Sequence, residues 1–314
     1  MSPPLRGVLA MIGANAIWGL SPLYYKLLAH VPPLEVLSHR TLWSLVFFGI
    51  VLAFQGRLGA LAGALATPRR LAVVALASLM ISANWFLFIY SIQIGRTVET
   101  SLGYYIFPLV AVLLGVFAFA EPLSRGKWLA VGIAAGAVII LTLGLGVAPW
   151  ISLALAFSFA IYGVIKKQVV AGPVVSVTAE VLILAPLALI WLWGVHVQGW
   201  TGLVGRNLGV FGSEWRDSLL LIVSGPLTAT PMILFSYAAR RVALSTIGVI
   251  QFMNPTLQFS IAVLVFAETV TRWHAIAFPL IWLALAIYSF EALRQERSSR
   301  RAAVRSATEG TTLI

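Results

Sequence analysis

No charged side chain stands between Arg70 and Arg96, and none stands between Lys127 and Lys166. An α-helix needs about 20 apolar residues to cross the hydrocarbon core of a bilayer, and text of this kind supplies them. The whole chain reads the same way, with 60% hydrophobic and only 10% charged residues. A typical soluble domain carries about 25% charged residues. The sequence is therefore that of an all-α integral membrane protein. In lipid every backbone polar group must find its partner within the chain, and helices do this segment by segment. There is no cysteine, which excludes disulfides and thiolate metal sites. The first apolar run lacks the pattern of a cleaved signal and is expected to remain as a helix.

Ten apolar runs are predicted to span, near residues 7–27, 33–54, 71–92, 97–119, 126–146, 148–167, 173–194, 217–239, 243–267 and 273–293. Only the connections 55–70 and 195–216 are long, so no separate soluble domain is expected. The tail 294–314 is basic, polar and predicted to be disordered past its first turn. Lysines and arginines then orient the bundle. With the N-terminus inside, cytoplasmic segments hold fifteen of them, and outer segments hold only Arg96, Arg206, Arg216 and Arg272. Lys26 and Arg40 lie within spans. Both termini are thus expected in the cytoplasm, and the net charge of +11 reflects orientation rather than a nucleic-acid partner.

The chain repeats itself. "FAEPLSRGKW" (119–128) returns as "FAETVTRWHA" (266–275). The shift of 147 puts Glu121 on Glu268, Arg125 on Arg272, Pro108 on Pro255 and Tyr90 on Tyr237. Slightly smaller shifts put "IWGL" (17–20) on "IYGV" (161–164) and Pro33 on Pro173. Each half, 1–146 and 147–293, holds five predicted spans. An odd number forces the second half to insert with opposite polarity. That is the inverted-repeat plan of secondary transporters, which hold solute near the midplane between the repeats.

The segments "GANAIWGLSPLYYK", "VLSHRTLWS", "SLGYYIFPLVAVLLGVFAFAEPLSR" and "QFMNPTLQFSIAVLVFAE" resemble the RarD group of EamA-type proteins, in the drug/metabolite transporter superfamily. The resemblance covers roughly residues 7 to 292. It implies ten helices in two inverted repeats of five, a bacterial inner-membrane location, and movement of small organic solutes.

"LSHRTLW" (37–43) places His39 and Arg40 inside a span. An ionisable residue at this depth is expensive and marks a functional candidate. The shift of 140 that pairs Pro33 with Pro173 puts Arg40 on Glu180, one charge above the midplane and one below. Each could gate the path or bind one end of a zwitterionic solute. Two other readings stay open for Arg40: a static ion pair with Glu99, or snorkelling to the interface. His39 faces about 100° away on the helix and is either a proton carrier or a structural histidine. His39 and Glu99 are thus the candidates for gating or proton transfer.

Ser101, Tyr104, Tyr105 and Pro108 form one helical stripe, mirrored by Gly248, Gln251, Phe252 and Pro255 in the second half, with Asn254 and Gln258 nearby. Each proline frees a backbone carbonyl one turn earlier. Asn15, Trp18, Asn84, Trp85 and Tyr162 complete the candidate lining. Tryptophan and tyrosine normally collect at the membrane interfaces, so Trp18 and Trp85, deep in their spans, could line a cavity or simply fill the core. Glu121 with Arg125, and Glu268 with Arg272, read as structural salt bridges. The small-residue run "GIAAGAVIILTLGLG" permits close helix approach, either to a second copy or within the monomer.

There is no HExxH, no GxSxG and no P-loop, so an enzyme is not expected. No cofactor is implied, though proton coupling stays open. The expectation is a secondary transporter, in the lead reading an exporter, working by alternating access on a small amphipathic metabolite, an amino-acid-like solute or a drug. A facilitative exchanger or importer is the alternative, and a non-transporting scaffold or receptor the rival from another class. The partners are solute and lipid bilayer, with monomer or dimer undetermined.

Overall fold

The computed structural model describes residues 3–119, 123–169, 171–201, 209–242 and 244–311. All of its regular structure is helical. The helices are α1 (Pro3–Leu27), α2 (Pro33–Phe54), α3 (Gly59–Leu65), α4 (Pro68–Gln93), α5 (Thr97–Phe119), α6 (Arg125–Leu145), α7 (Trp150–Lys166), α8 (Pro173–Gln198), α9 (Trp215–Ala239), α10 (Leu244–Gln251), α11 (Met253–Ser260) and α12 (Arg272–Thr311). A π-helical turn, Ile261–Val265, continues α11. Among the described residues nine segments are long and apolar enough to cross a membrane, with α10, α11 and the π-turn forming one of them. The shorter apolar helix α7 has 17 residues.

The boundaries follow local chemistry. Helices α2, α4 and α8 begin on Pro33, Pro68 and Pro173, where a missing N–H costs nothing and the fixed φ suits the first turn. Thr67 and Ser124 cap α4 and α6 through the backbone N–H of Arg70 (3.2 Å) and Lys127 (3.3 Å). Gly146 and Gly199 end α6 and α8 in the left-handed region at φ 70° and 66°.

Three local features add detail to the sequence reading. The connection 55–70 contains the short helix α3. The expected span 243–267 is interrupted at Phe252, one turn before Pro255. A proline ring collides with the carbonyl four residues back, here that of Gln251, and α10 ends there. Helix α12 runs on into the basic tail, as far as Thr311. The tail's Arg, Glu, Gln and Ala residues favour helix, and no proline or glycine interrupts them before Gly310.

Helix α5 packs on α7, α6 on α12, α2 on α8 and α9, α1 on α9 and α11, α4 on α7 and α8, and α5 on α11. The α5–α7 contact is close because Gly103 has no side chain. A Cβ there would sit 2.8 Å from the Ser152 carbonyl oxygen. On α6 the small-residue face is alanine: Ala130, Ala134 and Ala137 are buried in one core cluster with Ala277, Ile281 and Ala284 of α12. That face is used within the chain.

Glu268 does not pair with Arg272, as the sequence suggested. Its two carboxylate oxygens accept the backbone N–H groups of Thr97 (2.7 Å) and Val98 (2.8 Å) and so cap α5. A carboxylate is favoured there by the free N–H groups and by the helix dipole. Arg272 instead lies over the Trp273 ring at 4.9 Å. Glu121 lies outside the described residues, and Arg125 is exposed at the start of α6. Replacing Glu268 with Ala should therefore cost about 1–2 kcal/mol of stability, while Arg272→Ala should change it by less than about 0.5 kcal/mol. Thermal unfolding in detergent micelles reads both. Equal losses would restore the salt-bridge reading.

Candidate solute site

Arg40 sits on α2 with only 7% of its surface exposed. Its guanidinium lies over the Trp85 ring at 4.2 Å and the Tyr25 ring at 5.6 Å. Its Nε has no hydrogen-bond partner, and no carboxylate among the described residues lies within ion-pairing distance. The expected pair with Glu99 is not formed. Glu99 bonds Arg96 three residues earlier, in the same first turn of α5. A desolvated cation–π contact contributes about 2 kcal/mol. Desolvating an ion costs several kcal/mol, so the two rings do not offset the burial. What remains is a largely buried cation against two aromatic rings, with no carboxylate within ion-pairing distance among the described residues.

Trp85 stands on α4 beside Asn84, which is buried. Asn84 donates to the Leu155 carbonyl (3.0 Å) and to Ser158 Oγ (3.0 Å), and accepts from the Tyr104 hydroxyl at 3.1 Å. A chain of ring contacts runs from this point across the bundle. Tyr25 meets Phe88 edge-on at 5.8 Å, Phe88 meets Tyr104 at 6.0 Å, Tyr104 meets Phe159 at 6.0 Å, and Phe159 stacks on Tyr162 at 5.9 Å. The Tyr162 hydroxyl then donates to Glu180 at 3.0 Å. An aromatic wall thus connects the Arg40 end to the Glu180 end.

At the far end the charge is matched. Glu180 is fully buried, and its carboxylate takes Lys166 Nζ at 2.6 Å and Ser176 Oγ at 3.0 Å. Lys166, at the end of the predicted span 148–167, ends α7 and turns inward to reach it. Arg40 and Glu180 are therefore unequal: one is compensated and one is bare.

The stripes on α5 and α11 are brought together but divide in role. Ser101 Oγ donates to the Pro255 carbonyl at 3.0 Å, and Thr100 Oγ1 lies 3.4 Å from Gln258 Oε1. Gln258 in turn donates to Asn254 Oδ1 at 2.8 Å. Pro108 lies within α5 without interrupting it. Tyr105 leaves the group: its hydroxyl meets Thr256 at 2.7 Å and its ring packs on Phe278 and Trp282 at the α12 side. Gln251 is exposed at the end of α10. Asn15 is buried but bonds the Met11 carbonyl of its own helix at 2.9 Å. Trp18 is half-buried against Phe235 of α9, with ring centroids 6.1 Å apart.

Glu35 escaped sequence reasoning. It is fully buried in the first turn of α2, and its Oε1 accepts the N–H groups of Val210 (2.9 Å) and Phe211 (3.3 Å). His39, one turn on, stacks on the Phe211 ring with centroids 4.4 Å apart. The i, i+4 spacing of Glu35 and His39 was the signal that could have joined them. Nothing local announces Lys166 as the partner of Glu180.

The Glu180 cluster yields a stability prediction. Lys166→Met leaves a buried carboxylate without its cation and should cost about 3–5 kcal/mol. The double change Lys166→Met with Glu180→Gln should recover most of that loss in a detergent unfolding cycle. Additive losses would show that the two side chains act independently.

Comparison with known proteins agrees with this architecture. The EamA-like transporter family matches residues 5–143. The chain is 42% identical to Protein RarD of Streptomyces exfoliatus over 94% of its length and 91% of that protein's. It is 35% identical to Protein RarD of Escherichia coli K12, over 94% and 98%. It is 38% identical to the uncharacterized transporter YojE of Bacillus subtilis, over 94% and 97%. A solved crystal structure with 18% identity superposes with a TM-score of 0.58, covering 90% of this chain and 96% of the other, which supports the fold alone. By its family match, its near full-length relatives and its apolar helices, this chain belongs to the EamA family in its RarD group: a multi-pass transporter of the bacterial inner membrane, and not an enzyme.

Proposed function

We propose that the chain is a secondary transporter for small amphipathic solutes that carry a carboxylate, held near the midplane with the carboxylate on Arg40 and the apolar body against the aromatic wall. The observation that carries this reading is the bare guanidinium of Arg40 over Trp85 and Tyr25. Guanidinium presents paired donors that fit a carboxylate, and a charge-assisted pair in a dry site is strong. Stacked rings offer flat apolar surface to an aromatic or aliphatic body.

The surrounding plan is ten spans in two five-span halves of opposite polarity, with both termini cytoplasmic. The helix packing supports it. Exchanging corresponding helices of the halves turns the α5–α7 contact into α11–α1, α1–α9 into α7–α4, and α2–α9 into α8–α4, and each of these contacts exists. The pairs α2–α8, α5–α11 and α6–α12 map onto themselves. Such exchange is what a pseudo-two-fold axis through the bundle centre requires. Rocking of the halves about that axis would expose Arg40 to one side and then the other. Export is the lead direction, and facilitated exchange uses the same site.

The test is ligand-dependent thermal stability of the purified protein in detergent, across amino acids, other aromatic carboxylates, nucleosides and phenicols. A ligand bound only by the folded state raises the midpoint by mass action. Carboxylates should stabilise the protein, their amides should not, and Arg40→Gln should weaken carboxylate binding at least about 30-fold. Trp85→Leu should weaken binding about tenfold through lost stacking and cation support. Equal responses to acid and amide would refute the assignment.

A further inference from the structure

The other buried ionisable groups on α2, Glu35 and His39, lie about 140° and 100° around the helix from Arg40. Glu35, His39 and His196 each offer one ligand atom, all within 4.8 Å of one another. Glu35 and His39 come from α2, and His196 comes from the last turn of α8. The geometry points to a transition-metal site of the Zn²⁺ type here, one that joins the outer end of the first half to that of the second.

The donor set is one carboxylate and two imidazoles, the set that leaves zinc an open fourth position. Two of the three ligands are almost wholly buried and lack partners for the atoms that would bind. Glu35 Oε2 and His39 Nε2 are both buried without a hydrogen bond. The remaining Glu35 oxygen is held by the Val210 and Phe211 N–H groups, which fix the carboxylate from behind. The Phe211 ring, stacked on His39, fixes the imidazole plane. His196 Nε2 already stands 3.7 Å from Glu35 Oε1, and its side chain is 33% exposed, which gives an ion its entry path. Zinc bonds of about 2.1 Å in a tetrahedron bring ligand atoms to about 3.4 Å apart. The three side chains therefore close by about 1 Å or a little more, a rotamer adjustment at the exposed His196.

Each nearby charge has its own place. His30 is bonded to Asp217 at 2.6 Å, and Arg40 is on the Trp85 face. A bound ion would neutralise the buried Glu35 carboxylate and tie α2 to α8 and to residues 209–211. Those elements must separate if the outer side opens, so the ion acts as a brake on that opening.

The experiment titrates tag-free protein in detergent with Zn²⁺ against a chromophoric chelator, with Mg²⁺ as the control. One Zn²⁺ per chain and no response to Mg²⁺ are expected. His196→Ala, at an exposed position, should fold normally and weaken Zn²⁺ binding at least tenfold. His196→Cys, which restores a zinc ligand, should recover it. His30→Ala and His274→Ala should bind as wild type, which separates this site from the other two histidines of the chain. Absence of saturable binding, wild-type affinity in His196→Ala, or loss of binding in His30→Ala or His274→Ala would overturn the assignment.

Discussion

A charge in hydrocarbon must be neutralised or answered, and this constraint arranges the whole bundle. Among the described residues four Asp, Glu, Lys or Arg side chains are buried: Glu35, Arg40, Glu180 and Asp217. Glu180 has Lys166, Asp217 has His30, and Glu35 has two backbone N–H groups. Arg40 has only aromatic faces. Three local solutions and one open demand distinguish scaffold from site. The contrast also explains why Glu180, which the sequence register places opposite Arg40, carries no equivalent chemistry, since its charge is already answered by Lys166.

Backbone irregularity is concentrated in one segment. Within the stretch from α10 to Glu268 the chain holds a break at Phe252, a π-turn and Ala267 at φ 52°. A left-handed alanine costs about 1–3 kcal/mol and persists only where the surroundings fix it. Here it aims Glu268 at the start of α5, which locks the end of one half to the other. Ser101 fastens this segment to α5 by donating to the Pro255 carbonyl inside α11. Pro108 holds the corresponding place in α5 without a break, and nothing in the surrounding contacts accounts for the difference.

The helices were legible because their signal is local: apolar length sets the span, and proline and glycine set the ends. The register of 147 residues matched Pro108 to Pro255, and the helices that carry them, α5 and α11, pack on each other. Partnership was not legible. Glu99 and Arg40 lie on the same outer side in sequence, yet Arg96 captures Glu99 within one turn. Glu268 looked like the mate of Arg272, but two free N–H groups across the bundle suit a carboxylate better. Lys166 stood at the end of a predicted span, and the long lysine stem reaches Glu180 from the helix end. Such pairings depend on side-chain reach and on which groups desolvate together, and neither is written in spacing.

The most direct measurement is the unfolding midpoint of Arg40→Met in detergent without added solute. Methionine keeps the bulk and the contact with Trp85 but removes the charge. A bare buried cation costs stability, so the account predicts that Arg40→Met melts at or above the wild-type temperature and no longer responds to carboxylates. A midpoint lowered by the equivalent of about 3–5 kcal/mol would mean that Arg40 answers a structural anion, and would contradict the account.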